Sequence, residues 1–195
     1  TGSYDAAVAS WFTRDEAFPE TILPVLDYSH AVSYGENPHQ RGAYYEERGA
    51  RMHVLSRVDQ LQGKPLSYNN INDLSAARLL AATFEQPACV VVKHANPCGV
   101  AFAGTIEEAY TKALAADPTS AFGGIVVVNR PVSAALGETI AEQFLEVVFA
   151  PGFDAVAVDA LARRPDLRLL VDNERRAFTP GERDLKRVIG GMLAQ

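Results

Sequence analysis

The sequence predicts an α/β domain built on a largely parallel sheet, and three observations predict it. Runs of branched aliphatic residues, Val90-Val91-Val92 and Ile125-Val126-Val127-Val128, read as strands buried on both faces. From residue 72 onward such strands alternate with helical stretches of about ten residues, the mark of βαβ units. The chain has 195 residues, 48% of them hydrophobic, which suits one packed domain or one and a half.

The elements follow in order. Residues 3–13 predict a helix: Ser3 can cap it, and Ala6, Ala7, Ala9, Trp11 and Phe12 give it apolar surface. This helix is either packed on the main domain or the tail of a preceding one. Residues 21–28 read as a strand, with Pro24 suggesting an edge. Ser33-Tyr34-Gly35-Glu36-Asn37-Pro38-His39-Gln40 is a loop dense in hydrogen-bonding side chains, and Ala43-Tyr44-Tyr45 suggests a second strand. An apolar patch at 53–61 leads into the turn Gly63-Lys64-Pro65.

In Ser67-Tyr68-Asn69-Asn70-Ile71-Asn72-Asp73, asparagines compete for backbone hydrogen bonds and suit a helix entrance. Asn72 is the expected cap, with Leu74, Ala77, Leu80, Ala81 and Phe84 on one face. Residues 88–93 are the central strand, closed by a turn containing Pro97 and Gly99.

Residues 105–116 form a helix with the capping box Thr105-x-x-Glu108, stopped by Asp117-Pro118. Ser120-Ala121-Phe122-Gly123-Gly124 is a small-residue loop whose glycines permit a close backbone approach to a ligand or a neighbouring helix. A helix over 133–144, a strand over 146–150, a helix from Asp154 to Leu161 and a strand over 167–171 complete the alternation. Glu146, the one charge of its strand, reads as an exposed edge residue or as a grip on a ligand hydroxyl or amine. A charged tail begins at Asp172, and Val188 to Gln195 reads as the start of another strand.

Composition narrows the function classes. The net charge of −6 argues against a general nucleic-acid surface. No apolar run reaches the roughly 20 residues of a membrane span, and no signal peptide is read at Thr1. Two cysteines, Cys89 and Cys98, fit reduced thiols in a cytoplasmic protein. A chain opening Thr1-Gly2-Ser3 without Met is expected to be processed or partial.

Lys93-His94, at the end of a buried strand, is the leading chemical candidate, because α/β folds bind ligands beyond strand ends. Four readings compete. The pair can be a solvated lysine and a turn histidine with no function. His94-Ala95-Asn96-Pro97-Cys98 superficially matches a zinc-deaminase signature, but Asn96 replaces the general-acid Glu and the second Cys is missing. Lys93 can be a Schiff-base lysine. Finally, His94 can serve as general acid–base beside a Lys93 cation that stabilises developing negative charge.

Five motifs occur together: Tyr34 to Gln40, Ser67 to Asp73, Lys93 to Gly99, Ser120 to Gly124, and Ala150-Pro151-Gly152-Phe153. In order and spacing they closely resemble the bifunctional purine-biosynthesis family with phosphoribosylaminoimidazolecarboxamide (AICAR) formyltransferase and IMP cyclohydrolase activities. The resemblance implies a cytidine-deaminase-like three-layer α/β fold without zinc. It implies that residues 1–18 are the tail helix and linker of a cyclohydrolase domain, and 19–195 the first part of the formyltransferase domain. Much of both active sites then lies outside this chain.

It further implies that Lys93 and His94 are the catalytic pair and that Tyr34, Asn70, Gly123 and Glu146 contact the AICAR nucleotide. The family usually has Arg where this chain has Ser33; Arg41 is a nearby substitute. The implied cosubstrate is 10-formyltetrahydrofolate, and the implied assembly is a homodimer with shared active sites. The alternatives are a nucleotide-binding piece without chemistry and, more remotely, a zinc deaminase-like enzyme.

Overall fold

The computed structural model describes residues 1–50, 55, 58–172 and 184–195. The front of the apolar patch at 53–61 and most of the charged tail, residues 173–183, lie outside these described residues.

The elements are α1 (Gly2–Phe12), β1 (Leu26–Val32), β2 (Gly42–Glu47), β3 (Val58–Gln62), α2 (Tyr68–Ala82), β4 (Ala88–Lys93), β5 (Asn96–Phe102), α3 (Ile106–Ala116), α4 (Pro118–Ala121), β6 (Gly124–Val128), α5 (Ala134–Ala141), β7 (Leu145–Ala150), α6 (Ala155–Leu161), β8 (Arg168–Asp172), β9 (Leu185–Val188) and β10 (Gly191–Ala194). Six strands form one sheet in the order β3-β8-β7-β6-β4-β5. Two antiparallel hairpins, β1–β2 and β9–β10, stand apart from it.

The sheet is mixed. Its centre, β6-β7-β8, is parallel as expected, whereas β3–β8, β4–β6 and β4–β5 are antiparallel. Strands β4 and β6 are buried along almost their whole length, so neither carries the apolar–polar alternation that would betray a solvent-facing antiparallel pair.

Side chains alternate between two cores, as the period of two in a strand requires. Cys89, Val91, Val126, Val128, Val148 and Leu169 face α3, α5 and α6 through Ile106, Tyr110, Leu136, Ile140, Ala157 and Leu161. Val90, Val92, Ile125, Val127, Val147, Phe149 and Leu170 face α2 through Leu74, Ala77 and Ala81. The result is three layers, helix–sheet–helix. Packing between β5 and α3 is close: a Cβ on Gly99 would lie 2.0 Å from the Ala113 carbonyl oxygen.

Several elements begin elsewhere than expected. Residues 21–25 are not strand; β1 starts at Leu26, beyond Pro24. Helix α2 starts four residues before Asn72. Ser67 is the cap and Asn70 completes a reciprocal capping box, a role usually taken by Glu or Gln. In α3, Thr105 accepts from the Glu108 N–H as expected. Asp154 caps α6 in position but makes no side-chain cap hydrogen bond. The largest difference is at Asn96-Pro97-Cys98-Gly99, read as a turn. These residues open β5, and the turn is the preceding His94-Ala95.

Candidate active site

The His94-Ala95 turn joins β4 to β5, with Lys93 paired to Asn96. Both turn residues have left-handed backbones, φ 54° at His94 and 59° at Ala95. Positive φ at both central residues is what a tight type I′ hairpin demands, and Asn-Gly normally supplies it. A non-glycine residue there costs about 1–2 kcal/mol.

Helix α2 compensates. The Asp73 carboxylate, on a residue only 8% exposed, accepts the His94 N–H at 3.2 Å and the Ala95 N–H at 2.7 Å, one on each oxygen. Hydrogen bonds to a charged group contribute about 1.5–3 kcal/mol each, enough to offset the strain. Asn96 adds a bond from its side-chain amide to the His94 carbonyl, 2.9 Å.

Lys93 leaves the sheet half-buried. Its Nζ donates to the carbonyl oxygens of Phe122, at 2.8 Å, and Gly123, at 2.9 Å, which uses two of the three ammonium donors. Gly123 has φ 69°, and a Cβ there would come within 2.9 Å of that Nζ and 3.2 Å of Phe144 Cε1. The Gly123 N–H donates to the Phe144 carbonyl at 2.7 Å. What the glycines allow to approach is thus the lysine and an aromatic wall.

Phe144 is one wall of a cavity of about 510 Å³, lined also by Tyr34, Lys64, Glu146, Arg163, Arg164 and Arg168. Four cations against the two carboxylates of Glu146 and Asp166 give it a positive balance, suited to an anionic ligand. Glu146 is the second residue of interior strand β7 and does not sit on an edge strand. Its Oε2 accepts from Asn70 Nδ2 at 2.8 Å and lies 3.7 Å from Arg168 Nη1.

Asn70 in turn receives the Ser67 N–H on its Oδ1. One asparagine therefore caps α2 and orients the cavity carboxylate. The Tyr34 loop docks on the same helix start. The Tyr34 carbonyl accepts from the Tyr68 N–H, Asn69 Nδ2 donates to the Glu36 carbonyl, and Ser33 Oγ donates to the Leu66 carbonyl.

The structure thus places Tyr34 and Glu146 on the cavity lining, Asn70 against Glu146, and Lys93 and Gly123 beside the Phe144 wall. His94 and Arg41 are exposed, and neither lines the cavity. The Ser33 hydroxyl is spent on a backbone carbonyl. A family model described as the AICARFT/IMPCHase bienzyme matches residues 1–195. The chain belongs to that bienzyme family.

A curated relative, the bifunctional purine biosynthesis protein PurH of Bacillus mycoides (strain KBAB4), is 43% identical over 197 residues. That match covers 100% of this chain and 38% of the relative, so the chain spans well under half of that bienzyme's length. Among solved structures, Acinetobacter baumannii RibD, form 1, is 21% identical with a TM-score of 0.35, covering 45% of this chain and 29% of that one; a likeness this slight carries no argument.

Two site residues carried no signal of their role in the sequence. Asp73 lay inside a quoted motif without a role of its own; a left-handed turn leaves no sequence signal when it is built from His-Ala. Arg168 read only as a residue of the strand over 167–171, with no role of its own. It is 7% exposed and ties the Lys64 and Pro65 carbonyls to the cavity floor.

Among the described residues no cluster of three or more His, Cys, Asp or Glu side chains could hold a metal ion. Burial pushes the Cys98 thiol up, away from the thiolate that a metal or a nucleophilic role needs.

Proposed function

We propose that this chain carries part of an AICAR formyltransferase site in a bifunctional enzyme of purine biosynthesis that also cyclises the formylated product to IMP. One observation carries the reading: Tyr34 and Glu146, from separate segments, line one cation-rich cavity, Asn70 holds the Glu146 carboxylate, and the Phe144 wall and Lys93 both flank Gly123. In this reading residues 1–18 are the end of the cyclohydrolase domain and 19–195 the first part of the formyltransferase domain, with a cytidine-deaminase-like, zinc-free fold. The protein works in the cytoplasm as a homodimer, on AICAR and 10-formyltetrahydrofolate.

The residues divide the work. The 5-amino group of AICAR is a poor nucleophile, because its lone pair is delocalised into the imidazole and carboxamide. His94 removes the amine proton as the new N–C bond forms, and returns a proton to the folate nitrogen as the old C–N bond breaks. Lys93, held by two carbonyls with one N–H to spare, faces the charge developing on the formyl oxygen. Glu146, oriented by Asn70, grips a ribose hydroxyl or a ligand N–H, and the cavity cations face the phosphate.

A second reading, nucleotide binding without chemistry in the isolated 195-residue chain, is favoured by the exposure of His94 away from the cavity. Calorimetric titration of the full-length protein with AICAR tests the binding half of the proposal. Glu146→Ala removes a charged grip worth about 1.5–3 kcal/mol and is expected to weaken binding at least tenfold. Unchanged affinity would overturn the cavity as the nucleotide site. The isolated chain is expected to show no formyl transfer, and measurable turnover from it would refute that expectation.

A further inference from the structure

We propose that Asp73 is a positioning residue for the Lys93-His94 pair; the inference rests on the formyl-transfer reading above. Its carboxylate is buried, yet among the described residues it makes no ion pair. Its two oxygens are instead divided between two consecutive backbone N–H groups, those of His94 and Ala95. Successive amides in a turn form a concave anion nest, and here the anion comes from the protein itself.

The nest holds two non-glycine residues in the left-handed region, φ 54° and 59°, where neither stays without support. The direction of the His94 side chain follows from that backbone conformation. With a more common backbone at residue 94, the imidazole would leave the strand end in another direction.

Asp73 also sits one helical turn beyond Asn70, on the same rigid α2. Asn70 orients Glu146 in the cavity, and Asp73 orients the hairpin that carries His94. The helix therefore fixes the nucleotide-facing carboxylate and the proton-handling turn relative to each other. That is a device for registering two ends of a reaction, where a misplacement of about 1 Å can cost a hundredfold in rate.

The test is steady-state formyl transfer by the full-length protein, with kcat and the KM for AICAR measured separately for His94→Ala, Asp73→Asn and Asp73→Asn combined with Ala95→Gly. Asparagine keeps the shape of Asp73 but supplies one acceptor where the turn needs two. Asp73→Asn is expected to lower kcat about tenfold, within the range of such misplacements, and to leave the KM for AICAR within about threefold.

Glycine takes a left-handed backbone without support, so Ala95→Gly is expected to recover most of the lost kcat. A general weakening of α2 would not be repaired by a glycine in the hairpin. Wild-type kcat in Asp73→Asn, or a loss that Ala95→Gly leaves untouched, overturns the positioning role. If His94→Ala itself turns over normally, the reading of the catalytic pair fails and this inference falls with it. An inactive His94→Ala beside a fully active Asp73→Asn sinks this inference alone.

Discussion

Gly123→Ala is a severe change for one methyl group, and the structure gives its size. The backbone at 123 has φ 69°, where a side chain costs about 1–2 kcal/mol whatever its surroundings. The added Cβ would also lie 2.9 Å from Lys93 Nζ and 3.2 Å from Phe144 Cε1. The lysine end is the flexible partner, so it moves and loses its contacts with the Phe122 and Gly123 carbonyls. Gly190→Ala supplies the control: φ is 73° there, and no atom lies within 4 Å of the added methyl.

Both variants are expected to lose stability from the left-handed backbone, and Gly123→Ala at least as much as Gly190→Ala. In a chain of this length 1–2 kcal/mol corresponds to about 2–8 °C in Tm. Only Gly123→Ala is expected to lose turnover as well, by about ten- to a hundredfold, from a displaced cation. Melts of the 195-residue chain and formyl-transfer assays of the full-length protein measure the two quantities. If Gly123→Ala keeps the turnover of Gly190→Ala, the Lys93–Gly123 contact has no part in catalysis.

Three further outcomes follow from the same contacts. Arg78 and Asp172 form an ion pair at 2.7 Å with side chains 7% and 10% exposed, so Arg78→Ala should cost about 3–5 kcal/mol in urea unfolding; a loss under 1 kcal/mol would contradict the burial argument. Burial raises the thiol pKa of both Cys89 and Cys98, but only Cys98 reaches solvent, so a thiol reagent at neutral pH should label Cys98 slowly and Cys89 only on unfolding. Fast labelling of both would refute this.

The Glu107 carboxyl is held below its ordinary value of 4.5, chiefly by the Ser133 hydroxyl, and Asp117 below its ordinary 3.8 by Ser120. Depressed carboxyl pKa values add stability that is present above the ordinary value and lost as pH falls through the folded one. Stability should therefore drop below about pH 4.5, and less steeply in Glu107→Gln. An identical acid limb in that variant would exclude Glu107 as a contributor.

The fold was legible where burial leaves a strong trace. Val90-Val91-Val92 and Ile125 to Val128 read as interior strands, and Thr105 marked a helix start by its side-chain chemistry. Strand direction was not legible, because a strand buried on both faces looks alike in parallel and antiparallel neighbourhoods. The start of α2 was missed because Asn72 is as good a cap by composition as Ser67. What decides is the reciprocal bond through Asn70, a contact between two side chains and two amides.

The site divided the same way. Its members stood out as motifs, yet their roles depend on distances no motif carries. Pro97 and Gly99 drew the turn to the wrong residues, whereas Asp73, twenty-one positions upstream, holds the real one. Glu146 could not be placed until β7 proved to be an interior strand with Asn70 across from it.

The central claim is that His94 handles the proton in formyl transfer to a nucleotide whose ribose and phosphate are gripped at the Tyr34–Glu146 cavity. The most direct test is single-turnover formyl transfer by His94→Ala in the full-length protein, with AICAR affinity measured in parallel. The account predicts a rate loss of about 10²–10⁴, the usual worth of a positioned acid–base, with affinity within about threefold of the parent. Near-normal turnover in His94→Ala would contradict it.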